Sequence, residues 1–189
     1  MIAGLLLAAG GARRFGSQKL VAPIDGEPLV RHAARVLTSA AEALIVVVGS
    51  EATAVREALA GLDAFIVVND DWASGLASSV RAGIAALDGR VAAVLITLGD
   101  QPALEPRVID AVVREWRSTG RAIVAPRYRG AQGHPVLFAR SVFGELSALA
   151  GDRGAKAVIE RDPARVAYVD IDAPMPRDVD TVHDLGTVK

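Results

Sequence analysis

Six short, almost unbroken apolar runs, each trailed by a stretch with helical spacing, constrain this chain more than anything else in its sequence. The runs predict strands over 2–8, 43–48, 64–68, 91–98, 122–125 and 166–171. Continuous rather than alternating apolar character is what parallel strands buried on both faces require. Between them, 28–39, 52–59, 73–87, 106–118 and 141–149 repeat apolar residues at helical intervals, with Pro28 and Pro106 near helix starts. Strand–helix alternation of this kind predicts an α/β fold of three layers, with helices on both faces of a mostly parallel central sheet. No linker, low-complexity tract or repeat interrupts it, so residues 1–189 read as one domain.

Composition enters as a set of exclusions. Hydrophobic residues make up 51% of the chain, too many for a disordered segment. A formal net charge of −1 and an aromatic content of 4% argue against a nucleic-acid partner, which would call for a basic footprint or stacking platforms. The apolar start, Met1 to Gly10, has no basic region before it and is far shorter than the roughly 20 residues of a membrane span. It reads as a buried strand, with no membrane partner. The absence of cysteine removes thiolate metal sites and thiol nucleophiles, and fits a cytoplasmic protein.

In open sheets of this class, ligands bind beyond the carboxyl ends of the strands. The segment after the first strand runs Leu7-Ala8-Ala9-Gly10-Gly11-Ala12-Arg13-Arg14-Phe15-Gly16-Ser17-Gln18-Lys19. Its glycines let the main chain approach a ligand and expose N–H groups, while arginines and a lysine add positive charge, a combination suited to a polyphosphate. It is neither of two familiar phosphate motifs. Ala12 breaks the G-x-G-x-x-G dinucleotide fingerprint, and Ser17-Gln18-Lys19 stands where a Walker A loop needs Lys-Ser/Thr.

The segment resembles the L-A-A-G-x-S-x-R-M-G-x-x-K signature of nucleotidyltransferases with a Rossmann-like fold, with Gly10, Gly11, Arg14, Gly16 and Lys19 on the pattern. Ala12 and Phe15 are mild departures, and Gln18 stands where proline is common. Further segments extend the likeness along the chain. Asn69 to Ser79 resembles an N-x-x-W-x-x-G-x-x-x-S run whose Gly and Ser lie against the base, matched by Gly75 and Ser79, with Ser78 as a fallback. Leu98-Gly99-Asp100-Gln101-Pro102 resembles the L-G-D-x-P element whose Asp holds the catalytic metal. Gly133-His134-Pro135, Gly151-Asp152-Arg153-Gly154-Ala155 and Asp170-Ile171-Asp172-Ala173-Pro174 resemble segments of the molybdenum cofactor cytidylyltransferase branch.

The resemblance implies a Mg2+-dependent transfer of a nucleoside monophosphate, with CTP favoured over GTP, to the phosphate of molybdopterin or its molybdenum form, releasing pyrophosphate. Arg14, Lys19 and Asp100 are the implied catalytic residues. Leu7, Ala8, Ala9, Gly10, Gly11, Arg14, Lys19, Gly75 and Ser79 bind the nucleotide, His134 and Asp152 bind the acceptor, and Asp100 and Asp172 hold the metal. A molybdoenzyme or its chaperone is an implied partner. The alternatives keep the chemistry on a sugar or polyol phosphate, or leave a nucleotide-binding sensor or delivery protein without turnover.

Overall fold

Strand β1 (Ile2–Ala8) is buried along its whole length, and the rest of the molecule is arranged around it. The computed structural model describes residues 1–11 and 18–186. In chain order β1 is followed by a two-residue pair, β2 (Pro23–Ile24) and β3 (Glu27–Pro28), then α1 (Leu29–Thr38), β4 (Ala43–Val48), α2 (Ala52–Ala58) and β5 (Phe65–Val68). Next come α3 (Leu76–Ala85), β6 (Ala93–Leu98), α4 (Pro106–Thr119), β7 (Ile123–Tyr128), β8 (Ala131–Gln132) and β9 (Val136–Ala139). The chain continues through α5 (Phe143–Ser147), α6 (Lys156–Arg161), β10 (Val166–Ile171) and α7 (Val182–Leu185). The main sheet has the order β10-β7-β9-β6-β1-β4-β5, with β8 paired to β7.

The pairs β1–β4, β1–β6, β4–β5 and β7–β10 are parallel, as the apolar runs predict. Along β1 the side chains divide by parity. Ile2, Leu6 and Ala8 enter one core with α1 and α4 residues such as Leu37 and Ile109. Leu5, Leu7 and Ala9 enter a second core with Val80 of α3, Leu146 of α5 and Ile159 of α6. Two buried faces on one strand explain the absence of polar alternation in its sequence.

The mixed sheet departs from the prediction at β9, which lies antiparallel between β6 and β7. Arg129 and Gly130, with φ of 45° and 94°, reverse the chain after β7. It returns through Gly133-His134-Pro135 into a run of four residues, too short beside a loop read for chemistry to register as a strand. The third helix is also shorter than predicted. Trp72–Ser74 is a turn of 3-10 helix, Gly75 takes φ of 117°, and α3 starts only at Leu76. After β10 the chain crosses back over the carboxyl edge of the sheet. There Val179 is fully buried in the first core and its N–H donates to the Asp100 carbonyl at 3.0 Å. No helix among the described residues is long and apolar enough to cross a membrane.

Candidate active site

A cavity of about 490 Å3 opens at the carboxyl ends of β1 and β6, lined by Leu7, Ala8, Ala9, Gly10 and Gly11 on one side and by Trp72, Gly75, Leu76 and Ser79 on the other. Lys19, Asp100 and Asp152 also reach it. The nucleotide-binding residues expected from the sequence therefore converge on one space, except Arg14, which lies outside the described residues. Gly10 has open space where a side chain would be, and a Cβ on Gly11 would come within 3.1 Å of the Trp72 ring. Bare main chain thus forms one wall, with an indole set across its glycine.

Gln18, just ahead of Lys19, is buried. Its side-chain amide donates to the Ser50 carbonyl at 2.9 Å, and its oxygen caps the 3-10 turn Lys19–Val21 by accepting from Leu20 N–H. Where relatives with the resembled signature carry proline, this chain fixes the end of the loop by hydrogen bonds.

Lys19 Nζ lies 2.7 Å from Asp100 Oδ2 and 3.2 Å from Asp180 Oδ1. Burial acts to push the ammonium down, but the two carboxylates outweigh it and hold the group above its ordinary value. Burial pushes the Asp100 carboxyl up, against the opposing pull of Lys19, so Asp100 is the costly member of the pair. Its other oxygen, Oδ1, is buried and has no hydrogen-bond partner among the described residues. An orphaned anionic oxygen of this kind is what a divalent cation would satisfy. No group of three or more His, Cys, Asp or Glu among the described residues could hold a metal by itself. One or two carboxylates completed by phosphates and water is the usual magnesium arrangement, so the donor set fits.

The carboxylate that joins Asp100 at Lys19 is Asp180, whereas the expected Asp172 lies apart from both. Asp172 continues the edge strand β10, with its side chain 97% exposed, paired to Arg129 at 3.2 Å and lining neither cavity. The same D-x-D pattern recurs at Asp178-Val179-Asp180, and burial of Val179 brings that copy to Lys19. The pattern was present twice; only packing chooses between them.

Asn69 sits buried at the end of β5 and organises the opposite wall. Its amide donates to Ser78 Oγ at 2.8 Å and Ser79 Oγ at 3.0 Å, while its oxygen accepts from Asp71 N–H. Ser78 donates in turn to the Gly75 carbonyl, so of the two serines only Ser79 lines the cavity. A Cβ on Gly75 would run into the Asp152 carboxylate and reach within 2.7 Å of the Gly151 carbonyl, a second reason for glycine there beside its positive φ.

The structure parts the two expected acceptor residues. Asp152 lines the first cavity, whereas His134 lines a second of about 470 Å3. The two cavities share Leu7, Leu76 and Leu98. The second has an apolar floor of Ile96, Val136, Phe138 and Ile159, with Arg153, Lys156, Gln101 and Asp178 around it. Gln101 donates to Asp178 at 2.7 Å. Burial lowers the His134 imidazole below its ordinary value, with Asp178 opposing. Burial also drives the Tyr128 phenol up to about 12, leaving a neutral hydroxyl that donates to the His134 carbonyl at 2.9 Å. Asp178 and Asp180 were not singled out by the sequence, and Trp72, Gln18 and Gln101 entered there only as members of motifs, with no role of their own.

A mostly parallel α/β sheet with exposed main chain, a lysine and a carboxylate at its carboxyl edge is an arrangement suited to a nucleotide-handling enzyme, and the family comparison gives the class as nucleotidyltransferase. Residues 4–166 match the MobA-like NTP transferase domain, and the chain belongs to that family. It is 34% identical to nicotine blue oxidoreductase of Paenarthrobacter nicotinovorans, over 97% of this chain and 94% of that one. It is 29% identical to a probable molybdenum cofactor guanylyltransferase of Thermococcus sibiricus, over 73% of this chain and 68% of that one. Among solved structures, Rv0371c from Mycobacterium tuberculosis H37Rv superposes with a TM-score of 0.85 at 33% identity, covering 98% of this chain and 96% of its own. The same protein in complex with manganese gives a TM-score of 0.82 at 32% identity, covering 99% and 97%.

Proposed function

We infer that this nucleotidyltransferase moves a cytidylyl group from CTP to the terminal phosphate of a molybdopterin-type acceptor in the cytoplasm, with Mg2+, and releases pyrophosphate. The observation that carries the reading is the meeting of two unlike cavities at Leu7, Leu76 and Leu98. One offers main chain, Lys19 and Asp100 to a triphosphate. The other offers an apolar floor and cations to a flat, anionic acceptor.

In the transfer, an acceptor phosphate oxygen bonds to the α-phosphorus of CTP. The bond from that phosphorus to the bridging oxygen breaks, and pyrophosphate leaves with the electron pair. An acceptor phosphate is already ionised near neutral pH, so no strong general base is needed. The protein's task is alignment and charge stabilisation. Lys19, whose ammonium is held charged, offsets phosphate charge. Asp100, through its orphaned Oδ1, and Asp180 would hold the metal. Magnesium, when bound there, would neutralise phosphate oxygens. His134, neutral near pH 7, offers the acceptor a hydrogen-bonding edge.

Pyrophosphate release measured across CTP and GTP, with molybdopterin or a sugar or polyol phosphate as acceptor, tests this. CTP with molybdopterin should release most. Equal release from CTP and GTP at saturating acceptor would sink the cytidylyl assignment, and CTP binding without release would favour a sensor or delivery protein. The identity to an oxidoreductase over nearly the whole chain supports a second reading, an oxidation–reduction in the same cavities. Oxidation of a reduced nicotinamide nucleotide without pyrophosphate release would favour it, although the loop lacks the G-x-G-x-x-G fingerprint.

A further inference from the structure

Asp152 belongs to the 151–155 loop between α5 and α6, and the loop is pinned to the first turn of α3. The Gly151 carbonyl accepts from Ala77 N–H at 3.1 Å, and the Asp152 carboxylate occupies the space that a Gly75 side chain would take. The carboxylate is exposed to the first cavity, and no hydrogen bond or ion pair to it occurs among the described residues. The neighbouring cations do not neutralise it, since Arg153 and Lys156 both pair with Glu160.

An unpaired carboxylate repels phosphate. A triphosphate would therefore sit toward Lys19 and the Gly10-Gly11 main chain, which leaves Asp152 to the uncharged nucleoside. A carboxylate can only accept hydrogen bonds. Its counterpart on the nucleoside must be an N–H or O–H donor.

We propose that Asp152 is a specificity-determining residue that accepts a hydrogen bond from the exocyclic amine of cytosine and thereby rejects uracil. The inference rests on the cytidylyl reading above and moves Asp152 from the acceptor to the nucleotide. Uracil presents a carbonyl where cytosine presents the amine, so its oxygen would face the carboxylate with no proton between them. A site whose polar group is left unpaired by an analogue rejects that analogue strongly. Guanine also carries donors, so Asp152 discriminates between the two pyrimidines and not against purines.

Equilibrium binding of CTP, UTP, GTP and 2′-deoxy-CTP, with Mg2+ and without acceptor, tests the proposal by calorimetry or by the fluorescence of Trp72. The wild type should bind CTP roughly tenfold to a hundredfold more tightly than UTP, the span of one charge-assisted hydrogen bond. Asp152→Asn should narrow that ratio by about tenfold, since its amide can donate to the uracil carbonyl. Asp152→Ala should weaken CTP and leave UTP no weaker. An unchanged CTP/UTP ratio in Asp152→Asn, with CTP still preferred to GTP, would overturn this inference alone. A wild-type preference for GTP over CTP would overturn the cytidylyl reading and the inference with it. Asp152→Asn abolishing discrimination against 2′-deoxy-CTP, at a constant CTP/UTP ratio, would show that the carboxylate reads the sugar and overturn the base assignment. A change confined to acceptor affinity would return Asp152 to the acceptor side.

Discussion

The two cavities share a wall and are built from opposite materials. The first is shaped by main chain and small residues, Ala8 to Gly11 and Gly75, with Lys19, Asp100 and Asp152 as the charged groups of its lining and Asp180 paired to Lys19 behind them. The second is shaped by side chains, with Ile96, Val136, Phe138 and Ile159 beneath mixed polar and charged groups. A backbone wall serves any ligand that needs N–H donors in fixed positions, and constrains sequence only where a Cβ would collide, as at Gly11 and Gly75. A wall of side chains can be recut one residue at a time.

The largest effect should come from breaking the charged end of the first cavity. Asp100→Asn and Lys19→Ala should each lower pyrophosphate release by about 10²–10³, the cost of one well-placed electrostatic stabiliser. Asp100→Asn should still fold, because Lys19 keeps Asp180 and the replaced carboxyl is the member that burial penalises. Asp180→Asn should cost less than Asp100→Asn, and Asp172→Asn nothing, since that side chain stands in solvent beside Arg129. Loss of release in Asp172→Asn equal to that in Asp180→Asn would reverse the choice between the two D-x-D copies.

A smaller effect separates position from charge. Gln18→Ala removes a buried amide that fixes the segment ahead of Lys19 and leaves the Ser50 carbonyl without that donor. Loss of such a bond is worth about 1–3 kcal/mol. The KM for nucleotide should rise by about tenfold at near-constant kcat. Gln18→Pro should recover part of it, because Gln18 already has φ of −67°, within proline's range. If the proline variant were no better than the alanine one, the amide would be acting otherwise than by fixing the main chain.

The ease with which each region could be read from sequence follows the same contrast. The six apolar runs all became strands, and β1 could not be misread because burial on both faces leaves no polar residue in it. Gly10, Gly11, Lys19, Asp100, Gly75 and Ser79 could be placed in one site because each follows a parallel strand, and parallel strands deliver their carboxyl ends to one edge. What could not be read depends on contacts distant in sequence. The strand Val136–Ala139 requires β6 and β7 on either side to be a strand at all. Asp180 joins Lys19 only because Val179 is buried in the first core. The loop carrying Asp152 packs on α3 through Gly151 and so faces the first cavity, apart from His134, with which the resemblance grouped it.

The mildest test is pH, and it reaches the second cavity without disturbing Lys19, whose ammonium lies above its ordinary value of 10.5 and stays charged throughout the neutral range. His134 is half-buried there, and burial holds its imidazole below the ordinary 6.5. A histidine titrating lower when folded than when unfolded adds stability that is complete above pH 6.5 and is lost as pH falls through the folded value, because the unfolded chain takes up the proton first. The slope from this one group cannot exceed about 1.4 kcal/mol per pH unit. Urea unfolding of the wild type below pH 6.5 should therefore show stability falling with pH, and His134→Gln should flatten part of that fall while matching the wild-type slope with pH around pH 8. Equal slopes in the two proteins below 6.5 would mean that burial does not hold the imidazole below its ordinary value, and that the folded and unfolded chains take up this proton alike.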